Sequence, residues 1–381
     1  MKIAIEGQRL FRVKKHGMDM VALELIKNLQ LIDKENTYYV FVKPDEDSSC
    51  IPEAENFKII PLAGGAYPIW EQKTLPKAVK ELGCDLLHCT SNTAPLKSTV
   101  PLMITLHDII YLESVSLFKK GGTWYQKFGN MYRRFVVPRV VKSSEKIITV
   151  SNFEKNRIKE FFGFPESDDR LVAVYNGVSE HFKPVTDQQE LERVKVKYQL
   201  PDQFLFFLGN TDPKKNTPNT LKAYSIYLKR SNRKLPLLIA DLKESVIDAI
   251  LDNEGLTHIK PKLYFPGYIP NSDLPYIYTG AFAFLYPSLR ESFGLPLLEA
   301  MASGVPVISS NTSAIPEIAG NGALLTDPTK PEEIARLIVD LENYSDLYDK
   351  QIEYGLERIS IYSWEKTAEQ LLKVYLTSNA R

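Results

Sequence analysis

The chain has 381 residues, 44% of them hydrophobic and 25% charged, which is the composition of an ordinary globular protein long enough for two or three domains. Lys+Arg and Asp+Glu balance at 47 each, which excludes a global field that would draw the molecule to nucleic acid or to an acidic surface. Three cysteines argue for a reducing cytoplasm rather than a disulfide framework, and no apolar run reaches the ~18 residues needed to span a bilayer.

The chain opens on MKIAIEG, an apolar alternation that runs into Gly7 and reads as a first strand, not as a basic-then-apolar leader. The amphipathic MVALELIKNLQLI follows. DLLHC, LMITLHDII, KIITVS and LVAVYNG then read as short strands, with a long segment to Val141 among them. After Asn176-Gly177 and HFKPV (181–185) the alternation starts afresh with FLFFLGN, LPLLIAD, LYFPGY, AFAFLYPS, VPVISS and GALLTDP. Strands alternating with helical segments predict parallel sheets covered by helices, here an α/β chain of two doubly wound domains, 1–183 and 184–362. The segment 363–381 starts with an N-cap at Ser363 and carries apolar Trp364, Ala368, Leu371, Leu372 and Tyr375, a helix with one face to bury. No short internal repeat interrupts this pattern.

Two segments raise chemistry of other kinds. Cys84, His88 and Cys89 lie close together, but CDLLHC lacks a second ligand pair and its Leu86-Leu87 centre reads as a buried strand, so no zinc is expected. Phe118 to Lys142 holds Lys119, Lys120, Lys127, Arg133, Arg134, Arg139 and Lys142 among Trp124, Tyr125, Phe128, Tyr132 and Phe135, without an acid. A helix of this kind either lies on an anionic membrane or turns one solvated basic face outward.

The most informative stretch is LYPSLRESFGLPLLEAMASGVPVISSN, 285–311. A strand ending near Tyr286, a polar loop through Ser292-Phe293-Gly294 and a helix opened by Pro296 would present unpaired N–H groups at the positive end of a helix, suited to a diphosphate. Glu291 before that helix and Glu299 within it are either solvated charges or carboxylates that accept hydrogen bonds from ribose and hexose hydroxyls. No Asp-x-Asp pair marks a strand end for Mg²⁺, so neither metal nor other cofactor is expected.

Two glutamates at this spacing resemble the motif of retaining, two-Rossmann-domain glycosyltransferases of the GT-B fold, specifically family 4. MKIAIEG with Gly17, TLHDIIYL, KIITVSNFEKNRI, VYNGVSEHFKP, FLGNTDPKKN, FPGYIPNSDLPYIYTGA and SAIPEIAGNGALLTDP match the family's segments in order, over nearly the whole chain. The resemblance implies two Rossmann-like domains facing a central cleft, an acceptor-binding N-terminal one and a donor-binding C-terminal one, with the last helix packing back toward the first. It implies that Glu291 contacts the donor sugar, that the backbone of Ser292, Phe293, Gly294 and Leu295 holds the diphosphate, and that Glu299 binds the ribose. Gly267, Tyr268 and Ile269 would border the base, Lys215 would be the phosphate-binding lysine, His107 would lie over the reacting sugar, and Gly17 would serve the acceptor. Many relatives carry an arginine where this chain has Asn210, which cannot supply a bidentate cation, so Lys215 and the loop amides carry more of the diphosphate charge. The resemblance leans toward GDP-mannose as donor and leaves UDP-hexoses open. It implies a saccharide or lipid-linked acceptor in cell-surface polysaccharide or glycolipid synthesis, at a cytoplasmic location that includes the inner membrane face. A nucleotide-sugar epimerase or phosphorylase on the same fold, or a non-catalytic nucleotide-sugar-binding partner, is the alternative.

Overall fold

The computed structural model describes residues 1–15, 17–113 and 124–378, and of 124–127 the backbone only. It forms two units, Met1–Gly177 with Trp364–Arg381, and Val178–Ser363. Of the basic segment, residues 118–123 and the side chains of Trp124, Tyr125 and Lys127 lie outside the described residues.

The first unit is a seven-stranded sheet of β1 (Lys2–Glu6), β2 (Thr37–Val42), β3 (Phe57–Pro61), β4 (Leu86–Cys89), β5 (Leu102–Thr105), β6 (Lys146–Thr149) and β7 (Leu171–Ala173). Its order is β3-β2-β1-β4-β5-β6-β7, and every pair is parallel. Both faces are covered, which is why the strands read as near-continuous apolar runs. Ile3, Ile5 and Val40 pack with Leu23 and Ile26 of the helix Gly17–Ile32 and with Leu371 and Tyr375, while Ala4, Phe41 and Leu87 pack with Val136, Val137, Val140 and Val141 of the helix Trp124–Ser143. The sequence pattern had not singled out β2 and β3. TYYVFV is one apolar block without alternation, and FKIIP ends on a proline that suits an edge strand.

The helix Trp364–Ser378 belongs to this first unit. Tyr375 Oη lies 2.7 Å from His88 Nδ1, and Thr367 Oγ1 donates to the Tyr175 carbonyl at 2.7 Å. His88 Nε2 meets Thr105 Oγ1 at 2.8 Å, so both ring nitrogens are engaged and His88 is a core residue between strands and helix.

The second unit is a six-stranded parallel sheet of β8 (Phe204–Leu208), β9 (Leu237–Ala240), β10 (Leu263–Gly267), β11 (Ala281–Tyr286), β12 (Val307–Ser310) and β13 (Leu324–Thr326), in the order β10-β9-β8-β11-β12-β13. The unit begins at Val178 rather than at the expected 184. Val178 bridges Ser363, its N–H donates to the Tyr362 carbonyl at 3.3 Å, and the Phe182 ring lies 6.1 Å from that of Tyr278. Sequence alternation shows where strands resume, whereas these contacts show where the chain changes partners. Among the described residues no helix is long and apolar enough to cross a membrane.

Strand order reverses between β1 and β4 in one sheet and between β8 and β11 in the other. At such a point the loops after neighbouring strands diverge to opposite faces and leave a crevice at the carboxyl edge.

Candidate active site

The β8/β11 reversal gathers the charged groups of the second unit. After Leu208 the chain turns through Asn210, whose Oδ1 accepts from Asp212 N–H at 2.8 Å, and Asp212 in turn accepts from Lys214 N–H at 3.1 Å. Asn216, at φ +61°, ends the turn and donates from Nδ2 to the carbonyls of Pro287 (2.9 Å) and Pro328 (2.7 Å), fastening the loop to the end of β11. This loop fixes the direction of Lys215. Its ammonium donates to Glu291 Oε1 at 2.7 Å and to Tyr286 Oη at 3.2 Å. Lys214 turns instead toward Asp212 and gives its carbonyl to Leu289 N–H.

Glu291 is only 8% exposed, and its N–H donates to Ser313 Oγ at 2.9 Å. Three residues on, Gly294 at φ +102° opens the helix Leu295–Ala302 and, as a glycine, supplies no side-chain cap to it. A Cβ on Gly294 would stand 3.1 Å from Ile315 Cδ1, so both conformation and space require glycine here. Phe293 is buried with its ring 5.9 Å from that of Tyr362, so its side chain anchors the loop and leaves only its backbone to a ligand.

Glu299 lies on the same helix and accepts from Tyr278 Oη at 3.3 Å. The residue keeps some surface, but burial of its carboxyl pushes the pKa up to about 7, against the opposing Tyr278 hydrogen bond. The rings of Tyr278, Phe284 and Tyr286 form a wall, with centroids 5.2 and 5.6 Å apart in turn. Burial raises the Tyr286 phenol, and the charges of both Glu291 and Glu299 add to this, so the two carboxylates share one neighbourhood. Of the residues expected at the base, Gly267 ends β10, Tyr268 is exposed and Ile269 is buried.

In the first unit, considered by itself, His107 lies two residues beyond the end of β5 and is 7% exposed. Its N–H donates to Asn92 Oδ1 at 2.6 Å, and its Nε2 lies 3.0 Å from the Thr90 carbonyl, an acceptor only, so Nε2 carries the proton. Burial lowers its pKa, which keeps the imidazole neutral with Nδ1 as an acceptor. Thr90 Oγ1 also donates to the Glu6 carbonyl at 2.8 Å, and burial raises the pKa of Glu6, at the end of β1. Gly17 is the exposed first residue of its helix, and a Cβ there would meet nothing within 4 Å.

Sequence reasoning had assigned no role to Asn216, Tyr278, Tyr286, Ser313 or Glu6. Glu6 and Tyr286 carry one available signal, a polar tip on the last residue of a strand beside the reversal.

The first half of the chain, residues 16–182, matches the model of Glycosyltransferase Family 4, and residues 188–358 match that of Glycosyl transferases group 1. The chain belongs to glycosyltransferase family 4. This family member is 32% identical to the O-antigen chain mannosyltransferase B of Escherichia coli, over 61% of either chain. It is 26% identical to the O-antigen chain mannosyltransferase RfbU of Salmonella typhimurium, over 76% of this chain and 73% of that one. The chain thus spans about three fifths of the length of mannosyltransferase B, and 32% of that of the serotype-specific mannosyltransferase WbdA of Escherichia coli. Its GT-B fold is shared with a glycosyltransferase from Rickettsia africae (TM-score 0.75, 17% identity, 100% and 99% of the two chains). It is shared as well with Anabaena HepE in complex with UDP and glucose (TM-score 0.72, 16% identity, 98% and 99%).

Proposed function

We propose that this chain transfers a hexose from a nucleotide-diphosphate sugar to a saccharide or lipid-linked acceptor, with retention at the anomeric carbon, in the assembly of a cell-surface polysaccharide or glycolipid. The carrying observation is the Lys215–Glu291 pair, 2.7 Å apart at the strand-order reversal and close in sequence to the uncapped start of the helix Leu295–Ala302. GDP-mannose is the favoured donor, supported by the names of the mannosyltransferase relatives. UDP-hexoses are the second reading, supported by the UDP and glucose of the Anabaena complex.

Breaking the anomeric C–O bond leaves negative charge on the diphosphate and develops positive charge on the sugar. Lys215 turns from Glu291 to the departing phosphate, and the amides of Ser292, Phe293, Gly294 and Leu295 receive the remaining oxygens, so the leaving group is stabilised without a metal. Glu291, released from its lysine, accepts from hexose hydroxyls and faces the developing positive charge. Glu299 accepts from the ribose hydroxyls, Gly267, Tyr268 and Ile269 border the base, and Asn210 closes the phosphate loop. Neutral His107 serves the transferred sugar, and Gly17 leaves room on the acceptor side.

The test is transfer from GDP-mannose and UDP-glucose, with the product anomer read by NMR, before and after exhaustive EDTA treatment. Transfer should survive EDTA, and Lys215→Ala should weaken donor binding roughly ten- to a hundredfold, the loss of a charge-assisted hydrogen bond. Activity restored only by Mg²⁺ or Mn²⁺, or donor binding indifferent to Lys215→Ala, would sink the reading.

A further inference from the structure

Asp241 is the first residue beyond β9, at the carboxyl edge of the second unit's sheet. Backbone bonds fix its place from both sides. Gly209 N–H donates to the Ala240 carbonyl at 3.0 Å, tying the end of β9 to the turn that leads to Lys215, and Asp241 N–H donates to the Gly267 carbonyl at 3.2 Å. The residue therefore stands between the loop proposed for the diphosphate and the segment proposed for the base.

Two features set this aspartate apart. It holds φ +64°, in the left-handed region that glycine enters freely and that costs other residues energy. Its carboxylate also has no donor or ion-pair partner among the described residues, although the residue is only half solvated: neighbouring atoms raise its pKa, with burial as the sole cause. Burial raises the Tyr278 phenol, and the charges of Glu299 and then Asp241 add to it, so Asp241 acts on the ring that donates to Glu299. An unanswered negative charge this close to a diphosphate loop works against an anionic ligand unless the ligand brings donors of its own.

A carboxylate only accepts, and it accepts best from two donors side by side. Guanine has such a pair, N1–H next to the N2 amino group. Uracil has one N–H between two carbonyl oxygens, which would face the charge. We propose that Asp241 selects the base of the donor, its two oxygens accepting from N1–H and N2–H of a guanine and repelling the carbonyls of a uracil. The inference rests on the nucleotide-sugar reading above and names the residue that would tell its two donors apart, by attraction to one and repulsion of the other.

Calorimetric titration of the full chain with GDP, IDP, 2′-deoxy-GDP and UDP tests it. IDP keeps N1–H and lacks the amino group, so the unaltered chain should bind GDP roughly ten- to a hundredfold more tightly than IDP, the worth of one charge-assisted hydrogen bond. Asn enters the left-handed region as Asp does. Asp241→Asn should therefore keep the fold, bring the GDP and IDP affinities together, and bind UDP more tightly than the unaltered chain does. Asp241→Gly should lose the same preference while its melting temperature stays or rises, because the backbone strain is relieved. A GDP preference over IDP that survives in both variants overturns this inference and leaves the donor reading standing. UDP bound more tightly than GDP by the unaltered chain overturns the inference and the GDP-mannose reading together. Equal weakening of GDP, IDP and UDP in Asp241→Asn, with 2′-deoxy-GDP no longer told from GDP, marks a ribose contact and overturns the inference as well.

Discussion

Lys215 and Glu291 occupy one another, so an anion that takes the lysine also frees the carboxylate. In Glu291→Gln the lysine no longer has a charge to leave, and free nucleoside diphosphate should bind as tightly as before or more tightly, while kcat falls because positive charge on the sugar goes unmatched. Calorimetric titration beside steady-state kinetics checks this, and weaker diphosphate binding would reverse the assignment. Glu299 carries a pH dependence of its own. On the proposed assignment to the ribose, its carboxyl, raised to about 7, accepts both hydroxyls only when ionised, so affinity for the intact nucleotide-sugar should rise as pH climbs through about 7. The donor's diphosphate does not titrate there, and Glu299→Gln should flatten the profile and weaken binding. A profile unchanged in Glu299→Gln would remove Glu299 from the donor site. Both glutamates and Lys215 stood out in the sequence through the resemblance to the family's segments, but the contact between Lys215 and Glu291 spans 76 positions and has no local signature. Tyr278 and Tyr286 escaped notice for a related reason: each looks like a core aromatic until its hydroxyl finds a carboxylate or an ammonium.

At the scale of elements, the helix Leu295–Ala302 depends on the residue that precedes it. Gly294→Ala forces a side chain into φ +102° and 3.1 Å from Ile315 Cδ1, at a cost of about 1–3 kcal/mol. The loop should re-form at a different angle, so thermal unfolding should move down and nucleotide-sugar binding should weaken more than the melting shift alone explains. Unaltered binding with a lowered melting temperature would separate the loop's geometry from the ligand. Most elements were legible because short β-branched runs and amphipathic helices have different periods. β2 was passed over because its run, TYYVFV, opens on a threonine and two tyrosines whose polar tips mask a strand buried like its neighbours, and Trp124–Ser143 was read through its cations and aromatics while its inward valines passed without comment.

At the scale of the molecule, two doubly wound domains followed from alternation, but the boundary did not, because HFKPV looks like a linker and is packed like part of the second unit. The first unit also contains a titration that bears on its stability. Burial, with a smaller contribution from the neighbouring imidazole of His107, lowers the pKa of His88 to about 3. Below its ordinary value of about 6.5 the unfolded chain takes up a proton that the folded one refuses, so this contribution is complete above pH 6.5 and is lost as pH falls toward 3. Replacing His88 by Gln should lower stability at neutral pH and make the decline in melting temperature on acidification shallower. An equally steep decline would show that His88 is not the group responsible.

The return of the helix Trp364–Ser378 to the first unit inverts the order in which the two units can be finished. The segment that carries Tyr375 to His88 emerges from the ribosome only after all of Val178–Ser363 has been made. The second unit, whose ends meet at the Val178–Ser363 bridge, has its full set of contacts first, while the earlier-synthesised sheet waits without the Tyr375 partner of His88 Nδ1 and with one face of β1 covered only in part, by the helix Gly17–Ile32. At about 5–20 residues per second that interval is short but real, and it leaves the nascent first unit the part most in need of a chaperone.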